Sequence, residues 1–320
     1  MHKYAARRLL ALVPTLLIMS ILLFLILRVL PGDITAVILG DVEEGSIRIS
    51  QSTLDQLREE LGLNRPLHLQ YVHWLWDISR GDLGTSLLTR KPVSVEILHR
   101  LPLTLQIAFM AKVLALLFGI PIGIVSAIKR NSLLDYLLRF MSIFFLAAPN
   151  FWLGLLVLMG GVLWFTWSPP LGYNLIWEHP TANMLQLIWP ILILALSGMA
   201  IIARMTRSTM LEVLREDYVR TARAKGLTER VVIYRHALKN AMIPVVTLAG
   251  LSFGHLLGGT VIMETVFSIP GMGLYMIEAI RNRDYPIVQG VAIMIAAFFM
   301  LVNLVVDLLY AWLDPRISYS

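Results

Sequence analysis

Three ionisable side chains stand inside long apolar runs of this chain: Lys112, Glu264 and Asp307. A charge in such a setting is costly, and proton relays and ion sites are built from such groups, so each is a candidate functional residue. They lie on different runs, mostly toward the run ends, which is not the pattern of a relay. For Glu264 two readings stand open: a carboxylate lining a gate, or one hydrogen-bonded to a neighbouring helix. Lys112 reads as a side chain that snorkels or meets a carboxylate, not as a substrate contact. Asp307, about two turns before Asp314, reads as a packing residue. His255, Asn303 and Gln106 are single polar residues without a partner pattern. Gly250, Gly254 and Gly258, with Gly259 beside them, make a small-residue face at four-residue spacing. Such a face is either a seam where helices approach closely or the lining of a pathway. Thiol and disulfide chemistry are excluded, because the chain has no cysteine. No H-E-x-x-H metal cluster occurs, which argues against a membrane-embedded enzyme.

The elements that must position these residues follow from composition. Of 320 residues, 57% are hydrophobic and 15% charged, against about 25% charged in soluble domains. Apolar runs of roughly 20 residues place the chain in a bilayer. The first, Leu9–Leu30, follows Lys3, Arg7 and Arg8 as a signal peptide would. Its apolar stretch is longer than a signal core, and Leu30-Pro31-Gly32-Asp33 is no small-residue cleavage site, so it reads as a retained anchor. Further spans are expected at Leu103–Ile128, Leu137–Trp164, Leu187–Ala203, Ile243–Phe267 and Ile287–Leu313, the fourth interrupted by Pro190 and Gly198. The expected class is an all-α integral membrane protein with about six transmembrane helices.

Basic residues orient it. One set of segments comprises the N-terminus, residues 129–139 (Lys129, Arg130, Arg139), residues 204–240 and the tail with Arg316. Opposite them, residues 167–186 hold no Lys or Arg, and residues 268–286 hold Arg281 and Arg283. Residues 31–102 hold seven, but long translocated segments largely escape the rule. Both termini are therefore expected in the cytoplasm. The net charge of +6 belongs to this bias, and no soluble basic domain is left to bind nucleic acid. Between the first two spans, residues 31–102 read as an outer segment. Ser52–Leu61 forms a short amphipathic helix ended by Gly62, and the aromatic stretch Tyr71–Ile78, with Trp74 and Trp76, lies at headgroup level. That segment reads as a cap over the bundle or a docking surface for an external partner, two compatible roles.

Residues 204–240 are the most patterned part. Nine cations lie there, more than topology needs: Arg204, Arg207, Arg215, Arg220, Arg223, Lys225, Arg230, Arg235 and Lys239. Ser208 is expected to cap a helix whose apolar face is Leu211, Leu214, Tyr218 and Ala222. Gly226 ends it, at a position needing positive φ. Thr228 then caps a second helix through Val231, Val232, Tyr234 and Leu238. Thr221, Ala222 and Ala224 are small enough to let another backbone approach. The helix–Gly–helix knob reads as a docking site for a partner. Anionic lipid is the rival occupant, weakened by Glu212, Glu216, Asp217 and Glu229.

The run Glu216-Asp217-Tyr218-Val219-Arg220-Thr221-Ala222-Arg223-Ala224-Lys225-Gly226-Leu227, followed by His236-Ala237-Leu238-Lys239-Asn240-Ala241 and Ile243-Pro244, resembles the signature loop of ABC-importer permeases. It is most similar to the dipeptide/oligopeptide/nickel subfamily. The general loop begins Glu-Ala-Ala; here the triplet is Arg220-Thr221-Ala222, a departure typical of that subfamily. Further landmarks follow in the family's order along nearly the whole chain. They are Pro31-Gly32-Asp33, Leu61-Gly62-Leu63, Gln70-Tyr71, Gly81-Asp82-Leu83-Gly84, Pro149-Asn150-Phe151, Ala203-Arg204-Met205-Thr206-Arg207, Pro270-Gly271-Met272-Gly273, Arg283-Asp284-Tyr285-Pro286 and Asp314-Pro315-Arg316.

The resemblance implies a type I importer permease in a prokaryotic cell membrane. It would pair with a second homologous permease, most simply as a heterodimer, and take substrate from an external binding protein. Two cytoplasmic ATPase subunits would hold the ATP and Mg, and this chain would bind no cofactor; it has no G-x-x-x-x-G-K-S/T phosphate loop of its own. Asp217, Tyr218, Arg220, Thr221, Ala222, Lys225, Gly226, Leu227 and His236 would form the ATPase-coupling loop. Glu264, Asn150 and Gly258 are the candidates for pathway or gate, Glu264 also for receiving the binding protein. The segments are then 1–30, 31–102, the core 103–313 with its loop 204–240, and the tail 314–320. Di- and oligopeptides are the expected cargo, with nickel complexes and oligosaccharides as alternatives. An ion-gradient-driven secondary transporter is the rival of another class; it calls for an inverted repeat and paired midplane charges, neither of which the chain displays.

Overall fold

Apolar runs become helices in this chain, and prolines stand at the starts of several of them. The structure, a computed structural model, describes residues 2–29, 65–170 and 172–313. The expected helix at Ser52–Leu61, the landmarks Pro31-Gly32-Asp33 and Leu61-Gly62-Leu63, and the tail from Asp314 with Arg316 lie outside the described residues.

Among the described residues every regular element is a helix, apart from one isolated bridge between Thr85 and Pro92. In order they are α1 (His2–Val29), α2 (Leu67–Ser79), α3 (Val93–Ile128), α4 (Leu133–Ala147), α5 (Asn150–Phe165) and α6 (Pro180–Val213). Then come α7 (Asp217–Ala224), α8 (Glu229–Leu251), α9 (Phe253–Val266), α10 (Met272–Arg281) and α11 (Tyr285–Leu313). By length and composition α3, α6 and α11 can each cross a bilayer; α4 with α5, and α8 with α9, are bent pairs that can each make one span; Leu12–Ile26 is a shorter apolar stretch of α1.

The expected single span Leu137–Trp164 is two helices bent by 97°. Pro149 is the cause. It has no N–H to continue the ladder, and its ring drives the preceding residue out of the helical region. Ala148 accordingly sits at φ −70°, ψ 122° and Pro149 at φ −64°, ψ 135°. The fourth span differs the other way. Pro190 and Gly198 leave α6 unbroken over 34 residues, and Pro180 opens it at a position where no N–H is needed. The fifth bends by 52° where α8 gives way to α9, around Ser252.

Two compact units divide the chain: Met1–Tyr4 with Pro102–Leu274 and Leu301–Ser320, and Ala5–Leu101 with Tyr275–Met300. In the first, Ile107, Leu187, Ile191, Leu194, Met263 and Phe267 form the main core, drawn from α3, α6 and α9. Lipid tails are as apolar as these side chains, so close contact and polar ties must hold the helices together. Gly198 lets α6 approach Ala115, and a Cβ at Gly250 would overlap Val306. Gln106 and Asn183 exchange amide hydrogen bonds, and Asn183 also donates to the Asn174 carbonyl at 2.7 Å. Phe140, Ile143, Phe144, Leu155, Met159 and Leu163 point outward, as a lipid-facing or partner-facing surface requires.

In the second unit Tyr71 and Trp74 of α2 stack about Phe24 of α1, and the Ser20 and Tyr71 hydroxyls lie 2.8 Å apart. The buried Asp284 carboxylate accepts from Ser86 Oγ at 2.6 Å and from Leu87 N at 3.1 Å, which fixes the loop after Gly84. The Arg100 guanidinium lies 4.2 Å from the Tyr275 ring centroid.

Candidate functional site

The knob begins where α6 ends. Ser208 is not a helix cap: α6 runs past it to Val213, and a turn through Leu214–Glu216 resets the phase before α7 starts at Asp217. Of the expected apolar face, Leu211, Leu214 and Ala222 pack inward, while Tyr218 gives its place to Val219. Val219 and Ala222 are buried against Val232 of α8, with Val213 and Leu214 packed on them, while Tyr218 is exposed. Ala222 therefore fills the inside of the knob rather than offering room to another backbone. Thr221 and Ala224 are on the surface.

Gly226 turns the chain at φ +77°. Its N–H donates to the Arg223 carbonyl at 2.9 Å, and Leu227 N–H donates to the Ala222 carbonyl at 3.4 Å. That pair of bonds is a Schellman C-cap, with the glycine at the position where a side chain would be strained. Thr228 stands at the next N-cap position, but its side chain makes no capping hydrogen bond; its carbonyl accepts from Val232 N. The second helix then carries a π-helical stretch, Val232–Ala237, which includes His236. Such bulges often occur at functional sites.

Two polar ties close the knob. Arg223 Nε donates to Glu229 Oε1 at 2.9 Å across the glycine turn, and Asn240 Nδ2 donates to the Tyr218 hydroxyl at 2.8 Å. Arg220 pairs with Asp217 at 3.4 Å on the open face. Arg215, Arg220, Lys225, Arg230, Arg235 and Lys239 are exposed, as is Leu227, so the surface is cationic with an apolar tip. Of the expected coupling residues, Asp217, Tyr218, Arg220, Thr221, Lys225, Gly226 and Leu227 share this surface, His236 is half-buried, and Ala222 is inside.

Sequence reasoning missed the anchor beneath the knob. Asp135, wholly buried, accepts from Ser126 Oγ at 2.5 Å, from Asn131 N at 3.0 Å and from the Arg207 guanidinium near the end of α6. The available signal was one acid between the cations Arg130 and Arg139. It also missed Val219, Glu229 and Asn240 as knob ties.

The pathway candidates separate. Glu264 is wholly buried: Oε1 accepts from Thr104 Oγ1 at 2.6 Å, and Oε2 accepts from Gly273 N at 2.6 Å and Leu274 N at 3.0 Å. A Cβ at Gly271 would overlap its carboxyl group, which accounts for the glycines of Pro270-Gly271-Met272-Gly273. This is the geometry of a carboxylate holding the N-terminus of α10, not of one lining an opening. Asn150 opens α5 and lies near Gly259, while Gly258 faces open space. The glycine face thus divides: Gly250 and Gly259 pack, and Gly258 does not. Tyr173, in the loop before α6, donates to the Phe267 carbonyl at 2.9 Å, and burial pushes its phenol up to about 12.

Lys112 is 9% exposed and donates to Ser252 Oγ at 2.6 Å. Gly250-Leu251-Ser252-Phe253-Gly254 fits the G-x-S-x-G pattern of a nucleophile elbow, but it sits at a break between two helices rather than on a strand-to-helix turn. Ser252 Oγ donates to the Ala249 carbonyl of its own helix at 3.2 Å. No group of three or more His, Asp or Glu among the described residues could hold a metal ion.

Residues 119–319 match the family described as binding-protein-dependent transport system inner membrane component, and residues 1–108 match the N-terminal region of such membrane components. The chain is 43% identical to a dipeptide transport system permease protein, DppB, of Alkalihalophilus pseudofirmus, over the full length of both. It is 41% identical to the glutathione transport system permease protein GsiC of Salmonella typhimurium, again over both full lengths. A probable peptide ABC transporter permease of Sinorhizobium fredii is 39% identical over both full lengths. Among solved structures, the MetNI methionine ABC transporter superimposes with a TM-score of 0.54 at 17% identity, covering 68% of this chain and 96% of that one. An amino acid ABC transporter gives 0.52 at 16% identity, covering 70% and 95%. The all-α fold with several apolar helices is the type I permease fold.

Proposed function

The chain belongs to the binding-protein-dependent transport system inner membrane component family, and on that premise we propose that it carries di- and oligopeptides across a prokaryotic inner membrane. It is a multi-pass membrane protein and a permease subunit of an ABC importer. The peptide cargo rests on the names of its relatives, which transport dipeptides, glutathione and peptides.

The observation that carries the mechanism is the closed knob at 217–240. It is a small rigid body with a cationic face and an apolar tip, continuous through α8 with the fifth span. We place the termini and this knob in the cytoplasm, where two ATPase subunits hold ATP and Mg. The surface of Asp217, Tyr218, Arg220, Thr221, Lys225, Gly226 and Leu227, with His236 behind it, seats in a cleft of one ATPase. Closure of the ATPase pair displaces the knob, and α8 passes the displacement to the bilayer as a rigid-body movement. A second homologous permease completes the pathway, and an external binding protein delivers the peptide.

Copurification in mild detergent tests the assembly. The expected companions are a homologous permease and two ATPase subunits. In vesicles, peptide uptake should require those subunits, ATP and the binding protein. Uptake by this chain alone under an ion gradient would overturn the proposal.

A further inference from the structure

Lys112 is a buried cation that donates to a neutral hydroxyl, at the point where the fifth span breaks. The ion pairs among the described residues join Glu96, Asp135, Asp217 and Glu229 to Arg or Lys, and Lys112 takes part in none of them. A lone ammonium in a span costs free energy, so its place needs a reason. The α8 half ends at Leu251 with its last carbonyls short of partners, as every helix end does. Ser252 Oγ donates to the Ala249 carbonyl and accepts from Lys112 Nζ, so the ammonium serves the negative end of the α8 dipole through one hydroxyl.

The second half, α9, is held at its other end as well. Glu264 accepts from Thr104, and Thr104 lies on the same helix as Lys112, eight residues earlier, about 12 Å along α3. Helix α3 therefore grips α9 at both ends, at Ser252 and at Glu264. Helix α8, which bears the knob, has among the described residues a polar tie to α3 only at the break. Elsewhere the two meet through apolar side chains, Leu116, Ile120, Ile124 and Ala127 of α3 clustering with Ile233, Ala237, Ala241 and Val245 of α8, a contact that can slide where a polar tie cannot.

We propose that Lys112 is the positioning residue of a hinge at Ser252, which keeps α9 fixed to α3 while the knob-bearing α8 pivots. The proposal rests on the importer reading for what drives the pivot. The hinge itself rests on the Lys112–Ser252 and Thr104–Glu264 contacts alone. The span is thus a lever with a fixed outer arm, and Lys112 decides where it bends.

The chain has no cysteine, so labels attached to it before assembly report only where they are placed. Lys239→Cys in α8 and Ile262→Cys in α9 are both exposed positions. Spin-label distances between them should be measured in the assembled transporter in nanodiscs, without nucleotide and with ATP and vanadate. Two narrow distances are expected, one for each state. Lys112→Met should merge them into one broad distribution and lower peptide transported per ATP hydrolysed by about tenfold or more, the scale of one lost charge-assisted hydrogen bond. Ser252→Ala should do the same, and the double variant should add little, as coupled residues do. Ser252→Ala removes one hydroxyl and keeps the test readable where Lys112→Met fails to insert.

Unchanged distances and unchanged transport per ATP in both variants would overturn the hinge. So would a defect that raises the apparent KM for free peptide and vanishes with C-terminally amidated peptide, which would make Lys112 a contact for the substrate carboxylate. If transport proved independent of the ATPases, the importer reading would fall, while the distance distributions of the two variants would still decide the hinge.

Discussion

Arg207 meets Asp135 side-on: Nε lies 2.8 Å from Oδ1 and Nη2 lies 2.8 Å from Oδ2. The fork fills both carboxylate oxygens of a wholly buried acid and ties the turn at 129–135 to α6, six residues before that helix gives way to the knob. Removing one partner of a buried pair is costly because the other charge is left without compensation. Asp135→Asn should therefore lower unfolding stability by about 3 kcal/mol, the low end of that range, since Arg207 retains some contact with solvent. Arg207→Lys should lose nearly as much, because a lysine cannot reproduce the two-point contact. Thermal unfolding in detergent measures both, and a lysine variant as stable as the parent would contradict the fork.

Gly226 should rank its substitutions by backbone conformation alone. A Cβ there meets nothing within 4 Å, so size is not the issue, and the φ of +77° is. Gly226→Asn should be the mildest, Gly226→Ala should cost about 1 kcal/mol, and Gly226→Pro, with φ fixed near −65°, should open the turn. Limited proteolysis of the 204–240 loop reads the order. A proline variant as resistant as the parent would be the contrary result.

Ala222 and Thr221, adjacent in sequence, should behave oppositely. Ala222→Leu overfills the space between Val219 and Val232 and should cost about 1–3 kcal/mol. Thr221→Leu sits on the exposed face and should leave stability within about 0.5 kcal/mol while weakening recovery of the ATPase subunits. Melting temperature and copurified ATPase, measured together, separate the two effects.

Glu264→Gln should destabilise the α9–α10 connection. The amide nitrogen turns a donor toward Gly273 N and Leu274 N, or else gives up the Thr104 bond. A loss of about 2 kcal/mol is expected, and Gly271→Ala should produce a similar loss by displacing the carboxyl group. Equal stability in both variants would free Glu264 for a gating role.

Tyr173 should make stability fall at high pH. Burial raises its folded pKa to about 12, above the ordinary value near 10. Between those values the unfolded chain releases a proton that the folded chain keeps, so stability declines as pH rises from about 10 to about 12. Tyr173→Phe should flatten that part of the profile, at the cost of the hydrogen bond to the Phe267 carbonyl.

How much of this was legible in the sequence depends on range. The helix–Gly–helix turn was readable because its cause is local: one glycine, one positive φ. The apolar runs placed the spans but not their bends. Pro149 was visible, yet apolar residues on both sides made Leu137–Trp164 look continuous. Ala222 was placed correctly on the inward face of α7, but Tyr218 was put there in place of Val219 because the turn at Leu214–Glu216 carries no Gly or Pro to mark the change of phase. The pairs Asp135–Arg207 and Thr104–Glu264 join residues 72 and 160 positions apart, a separation no spacing rule addresses. Arg207 had in addition been read only as one of the nine loop cations and as the end of the landmark Ala203-Arg204-Met205-Thr206-Arg207.

The ties that close the knob join residues between 213 and 240, none more than 22 apart in Tyr218–Asn240. Short loops close quickly and lose little entropy in doing so. The surface therefore takes its shape from its own chain, early in folding, and does not wait for a partner to mould it. Association with a partner then surrenders less conformational freedom. The speed of subunit encounter is left to diffusion and to the steering field of the exposed cations, which added salt should weaken.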